Sequence, residues 1–194
     1  MKKVISTFCV FISFFGHSQS SGTVINSVSL PAFSLMDIEP NNSTLVLHFD
    51  EPTEAGLLNT TKTISGQKWI NYTSALAASD YRSITVQKSF GNIPSGIRLF
   101  VGSDAAIGGF GELGVTAGFV RINNSPKTII DNIGSAYTTS GATGHSLNYK
   151  IEINNMSQLD ADETTDIGLT FDIVDNQNEG FILYSNFNDC SLYW

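Results

Sequence analysis

Charge is the scarcest property of this 194-residue chain. Asp, Glu, Lys and Arg make up 14% of it, against about 25% in an ordinary soluble protein. The balance is acidic, with 10 basic and 18 acidic residues and a net charge of −8, the wrong sign for a nucleic-acid binder. Cys9 and Cys190 are the only cysteines, too few for a disulfide framework or a cysteine zinc cluster. Histidine is limited to His17, His48 and His145, with no second ligand at metal spacing and no Gly-x-Ser-x-Gly elbow nearby. No segment sustains an i, i+3, i+4 apolar pattern, which excludes bundles and coiled coils. Only residues 73–81 offer one or two helical turns.

Small neutral polar residues fill the gap that charge leaves. Ser, Thr and Asn make up 56 of the 194 residues. Hydrophobic residues are 41% and aromatic residues 11%, enough to build a core and to argue against disorder.

The amino terminus reads as an export signal. Lys2 and Lys3 precede an uncharged apolar run over residues 4–15, and Gly16 and Ser18 supply small residues at a cleavage site. Twelve residues span roughly 18 Å as a helix, short of a hydrocarbon core of about 30 Å. Residues 1–18 are therefore expected to be a signal peptide, and no later run approaches transmembrane length. Cleavage before Gln19 lowers the basic count from 10 to 8 against 18 acidic residues, a net charge of −10. It also removes Cys9, so the exported chain holds the single thiol of Cys190 and no internal disulfide.

From residue 20 the dominant period is two. Leu147, Tyr149, Ile151 and Ile153 alternate with Ser146, Asn148, Lys150 and Glu152. Ile167, Leu169, Phe171 and Ile173 repeat the pattern. Leu45, Leu47 and Phe49 form a third set; Ile84 and Val86, with Lys88 and Phe90, a fourth; and Ile97, Leu99 and Val101 a fifth. Such alternation marks half-buried antiparallel strands. Weaker strands are expected over 24–30, 35–38, 68–73, 115–122 and 127–131. Turn chemistry separates them at Glu39-Pro40-Asn41-Asn42, Ser65-Gly66, residues 91–96 and residues 123–126. Two glycine-rich stretches, 102–118 and 134–144, read as long surface loops and lack the Lys and strand-to-helix context of a phosphate site. The expected fold is all-β: one antiparallel β-sandwich with Greek-key connections over residues 19–178, with a closed β-barrel as the alternative. An apolar carboxy-terminal tail, 179–194, follows as a further strand or as a strand offered to another subunit.

Chemistry-bearing residues are sparse. His48 and His145 read as surface residues. Asp37, Glu39, Asp50, Glu51 and Glu54 sit at strand ends, where a carboxylate pair for glycoside hydrolysis would have to be assembled by the fold. In the acidic stretch 160–166, Asp160, Asp162 and Asp166 are candidate Ca²⁺ ligands through oxygen, without EF-hand spacing. Trp69, Tyr72, Tyr81 and Tyr137 are candidates for stacking on sugar rings, with core packing the competing fate of Trp69 and Tyr72. No constellation supports an enzyme, so no catalytic residue or resident cofactor is assigned.

The stretches Arg82-Ser83-Ile84-Thr85-Val86, Pro94-Ser95-Gly96-Ile97-Arg98-Leu99-Phe100-Val101, Ile133-Gly134-Ser135 and Gly144-His145-Ser146-Leu147-Asn148-Tyr149 resemble, in order and spacing, secreted proteins of gliding and biofilm-forming bacteria. Size, composition and signal are similar to those of pilin-like β-sandwich subunits of bacterial surface fibres. Tyr193 and Gly180 resemble the penultimate Tyr and preceding Gly of chaperone–usher pilins, whereas Ser185 and Asp189 break the final alternation and the family's disulfide has no counterpart. The resemblance implies a structural or adhesive role at the periplasm, cell surface or exterior, with self, other subunits or glycans as partners. A carbohydrate-binding module is the alternative. Mass spectrometry of the secreted protein is expected to find Gln19 at the amino terminus, and an intact Met1 would refute cleavage.

Overall fold

A computed structural model describes residues 23–40, 44–160 and 164–176. The signal peptide, the 179–194 tail, Cys190 and Asp162 lie outside the described residues. The chain divides into two compact units, Met1–Leu30 and Pro31–Trp194. In the first, residues 23–30 form no regular structure and expose Val24, Ile25, Val28 and Leu30, so the strand expected over 24–30 is absent.

Among its described residues the second unit is all-β and antiparallel. Its strands are β1 (Phe33–Glu39), β2 (Thr61–Ala75), β3 (Tyr81–Phe90), β4 (Ile97–Ser103), β5 (Phe110–Thr116), β6 (Val120–Arg121), β7 (Lys127–Tyr137), β8 (His145–Ile153) and β9 (Gly168–Asn176). One 3₁₀ turn, Met156–Gln158, precedes β9. The strands hydrogen-bond in the order β6-β4-β8-β2-β7-β3-β9, with β1 added to β2 and β5 to β7. Most neighbours are distant in sequence, as crossing Greek-key connections require. Among the described residues β6 and β9 do not pair with each other, so the sheet stays open and the barrel alternative is overturned.

The architecture is sandwich-like. Strand β2 hands over from β8 to β7 at Thr73↔Tyr137 and Ser74↔Ala136. Strands β4 and β6 contact β7 although no ladder joins them, and Ser103 Oγ donates across to the Ile129 carbonyl at 3.3 Å. One core lies between, formed by Ile70 and Tyr72 of β2, Ile84 and Val86 of β3, Leu99 and Val101 of β4, Ile129, Ile130 and Ile133 of β7, and Leu147, Tyr149 and Ile151 of β8. Leu169, Phe171 and Ile173 of β9 pack against it, as the period-two pattern requires. Each fully buried Ile or Leu contributes about 1.5–3 kcal/mol.

Several expectations are corrected. Ser65-Gly66 is no turn: β2 runs through it, and the register with β8 shifts between Ser65 and Trp69. Gly66 takes φ +69° there, a left-handed conformation natural to glycine in a bulge. The 102–118 stretch is not all loop, because it contains β5. Gly111 of β5 lies so close to β7 that an added Cβ would meet the Ser135 carbonyl oxygen at 2.1 Å, so glycine here permits pairing rather than flexibility. The 115–122 strand is split between β5 and β6. Residues 73–81 form no helix; β2 continues to Ala75 and a turn closed by Asp80 N–H to the Ala77 carbonyl leads to β3. A register shift between Lys88 and Phe90 accompanies the exposure of Phe90. Residues 44–50 alternate in burial, with Leu45, Leu47 and Phe49 packed on the core, yet form no strand ladder.

A buried polar knot ties the strand ends. Arg82 is 5% exposed. Its Nε donates to Asp175 Oδ1 at 2.5 Å, and its Nη1 to the Phe33 carbonyl at 2.7 Å and Ser74 Oγ at 3.0 Å. One guanidinium thus joins β1, β2, β3 and β9. Asp175 is exposed and stays solvated without its partner, whereas removing the guanidinium strands buried acceptors. Arg82→Ala is therefore expected to cost about 2–4 kcal/mol of unfolding free energy, and Asp175→Asn under about 1 kcal/mol. Urea melts check this, and an equal loss from both would refute the asymmetry.

Candidate functional site

Directly opposed residues of an antiparallel pair share a face, so the registers lay out the outer surface. Leu35 opposes Thr73, Asp37 opposes Asn71 and Glu39 opposes Trp69. Thr73 in turn opposes Tyr137, and Tyr137 opposes Phe110. Leu35, Thr73, Tyr137 and Phe110 therefore form a row across β1, β2, β7 and β5. Leu35 and Phe110 are each 71% exposed and Tyr137 44%. The Phe110 and Tyr137 rings lie 5.9 Å apart at 39°.

Beside this row, Asp37, Glu39, Pro40, Trp69, Gly141 and Ala142 line an open cleft of about 430 Å³. The loop after β7 forms its far wall. Asn71 Nδ2 donates to the Gly141 carbonyl at 2.9 Å. Thr143 Oγ1 contacts Thr139 Oγ1 at 2.6 Å and donates to the Ser140 carbonyl at 3.0 Å. Asn71 is buried, and its Oδ1 has no hydrogen-bond partner. The Lys68 ammonium is engaged by the Pro40 carbonyl at 2.6 Å. The cleft thus combines an indole, two carboxylates and backbone carbonyls.

Of the aromatic candidates, Trp69 and Tyr137 reach this surface. Tyr72 is buried in the core, and burial pushes its hydroxyl well above its ordinary pKa. Tyr81 lines a separate open cavity of about 550 Å³ with Glu112 and Asn132. Of the strand-end acids, Asp37 and Glu39 come together at the cleft. Asp50 instead meets the Lys62 ammonium at 2.7 Å, whose hydrogen bond holds its carboxyl below the usual range. Glu51 and Glu54 are exposed in the following loop. Asp160 and Asp166 are exposed, and among the described residues no group of three His, Cys, Asp or Glu side chains is placed to hold a metal ion. Phe110 was not identified from the sequence, because the glycines around it hide the period of β5.

His48 is exposed, as expected. His145 is the opposite of the expected surface residue, at 1% exposure. Both faces of β8 are covered at its start, and Ser146 and Asn148 are buried too. His145 Nδ1 lies 2.9 Å from the Asp104 carbonyl oxygen, and Nε2 lies 3.1 Å from that of Leu113 and 3.2 Å from Tyr72 Oη. The imidazole therefore links β8, β2, β5 and the segment after β4. Burial lowers its pKa from 6.5, opposed by the two carbonyls. Enclosed by these partners, the imidazole ties the strands together.

No family model, curated protein or solved structure matches the chain.

A histidine whose folded pKa is depressed binds its proton more readily in the unfolded chain. Its contribution to stability is complete above about pH 6.5 and is lost as the pH falls from there through the folded pKa. The native protein is expected to lose more stability than His145→Gln between about pH 6.5 and 5. Parallel pH profiles in urea melts would refute the assignment.

Proposed function

We propose that this chain is an exported, non-catalytic bacterial surface protein, structural or adhesive, that works by strand pairing with further copies of itself or with other surface subunits. One observation carries the reading. Residues 44–50 alternate in burial and turn Leu45, Leu47 and Phe49 onto the core, yet they join no ladder. Nearby, Thr61–Ser65 pair with β8 on one edge, and among the described residues no strand pairs with their other edge. Asp50, at the end of the 44–50 segment, is fixed to Lys62 of β2.

An open edge of this kind is a template for an incoming strand. Monomeric proteins blunt such edges with charge, proline or a covering element. Residues 44–50 read Thr-Leu-Val-Leu-His-Phe-Asp, with Asp50 the sole formal charge and Val46 exposed. The same chain carries a candidate donor in residues 23–30, which have no regular structure and expose Val24, Ile25, Val28 and Leu30. Each ladder hydrogen bond formed across the edge contributes about 0.5–1.5 kcal/mol net, and burial of the apolar side chains adds to it. The export signal, the neutral polar surface and the resemblance to pilin-like subunits favour the same role.

Sedimentation of the mature chain is expected to show mass rising with concentration. Val46→Pro removes one backbone donor at the edge and leaves the inward side chains in place, so it is expected to remain monomeric. A mature chain that stays monomeric at its highest soluble concentration would overturn the reading, as would unchanged assembly by Val46→Pro.

A further inference from the structure

The outer surface around Trp69 has a chemistry that strand pairing does not use. We infer that it is a binding site for a neutral oligosaccharide, with Trp69 and Tyr137 as stacking platforms and Asp37 and Glu39 as acceptors for sugar hydroxyls. The inference goes beyond the proposed function and does not depend on assembly, because the site lies within one chain.

The argument begins with what the surface can satisfy. The row from Leu35 to Phe110 crosses four strands, about 14 Å at 4.8 Å per strand, and the Trp69 cleft lies about 13 Å along β2 from Thr73. A ligand covering both is extended, larger than a monosaccharide. Apolar ring faces on Trp69, Tyr137 and Phe110 match the C–H faces of sugars. Asp37 and Glu39 stand two residues apart on β1 and face the same side as Trp69. Ionised carboxylates accept strong hydrogen bonds from hydroxyls.

Other ligands fit less of the surface. An anionic chain meets two carboxylates, and the nearest ammonium, Lys68, is already engaged. A purely apolar partner would desolvate both carboxylates without hydrogen bonds. A cationic peptide matches the carboxylates and one indole but leaves the Leu35–Tyr137–Phe110 row uncovered.

Trp69 and Trp194 are the only indoles, so Trp194→Phe makes emission report on Trp69 alone. The mature chain with this change is titrated with hexasaccharides from neutral glucan, xylan, mannan and chitin, with a polygalacturonate hexamer and with hexalysine. At least one neutral hexasaccharide is expected to give a saturable change in emission, with none from the other two probes. By calorimetry, Tyr137→Ala is expected to weaken that affinity about fivefold, and the pair Asp37→Asn and Glu39→Gln about tenfold or more. Melting curves establish that each variant is folded, and Trp69→Phe provides a conservative second test of the platform. No response to any neutral hexasaccharide, unchanged affinity in the folded variants, or a saturable response to hexalysine would each overturn the inference. Sedimentation in the same samples reads assembly separately, so failure of one reading is distinguishable from failure of the other.

Discussion

The ladder geometry of β2 is the constraint on which the rest of the structure depends. Fifteen residues serve three partners: β8 along Thr61–Ile70, β1 along Trp69–Ala75, and β7 at Thr73 and Ser74. Beyond the bulge at Gly66 the strand keeps β8 for Trp69 and Ile70 and then takes β7 on the same edge, while β1 lines the opposite edge. After it, Ile70 and Tyr72 enter the core, while Trp69, Asn71 and Thr73 share the opposite face, where the loop after β7 meets Asn71. The shift is two residues, Ser65↔Asn148 giving way to Trp69↔Ser146, so the faces are kept: Ile64 before the bulge and Ile70 and Tyr72 after it lie on the same side at even spacing. The bulge also falls where the β1 ladder ends, and the edge beyond it has no strand partner among the described residues.

Two buried polar ties stabilise this arrangement. Arg82 gathers the ends of β1, β2 and β9, and His145 gathers β2, β5 and the segment after β4. Each sits where strands distant in sequence meet, at junctions a purely apolar core would leave less specified. Their value is asymmetric: satisfied, each hydrogen bond contributes modestly, but a buried acceptor left without a donor costs about 1–3 kcal/mol. The apolar core supplies the bulk of the stability, and these groups select which strands meet.

The sequence made some of this legible for a definite reason. Strands β8 and β9 present unbroken alternation, because apolar residues fill one face throughout, and Leu147, Tyr149 and Ile151 join the core while Leu169, Phe171 and Ile173 pack on it. The turns at 91–96 and 123–126 were legible from Asn, Pro and Gly. Strand β5 was not, since its glycines are demanded by close approach to β7, a contact made by residues some twenty positions away. Residues 44–50 have the period of a strand, but period reports burial and not hydrogen bonding. His145 and Asn148 were read as outward because alternation cannot foresee loops that cover the second face. The Trp69 cleft depends on the β1–β2 register and on a loop beyond residue 137, neither of which a local pattern contains; only the identity of Trp69, Tyr137, Asp37 and Glu39 as candidates was available beforehand.

The proposed function uses the open edge for contact through backbone, and the inferred site uses the outer surface for contact through side chains. The first is the central claim, and amide hydrogen exchange on the mature chain tests it most directly. In dilute solution, amides over residues 44–50 are expected to exchange rapidly while those of Ile70 and Tyr72 are protected. On concentration, residues 44–50 are expected to become protected as well. Protection of 44–50 in the dilute monomer equal to that of β2 would contradict the account.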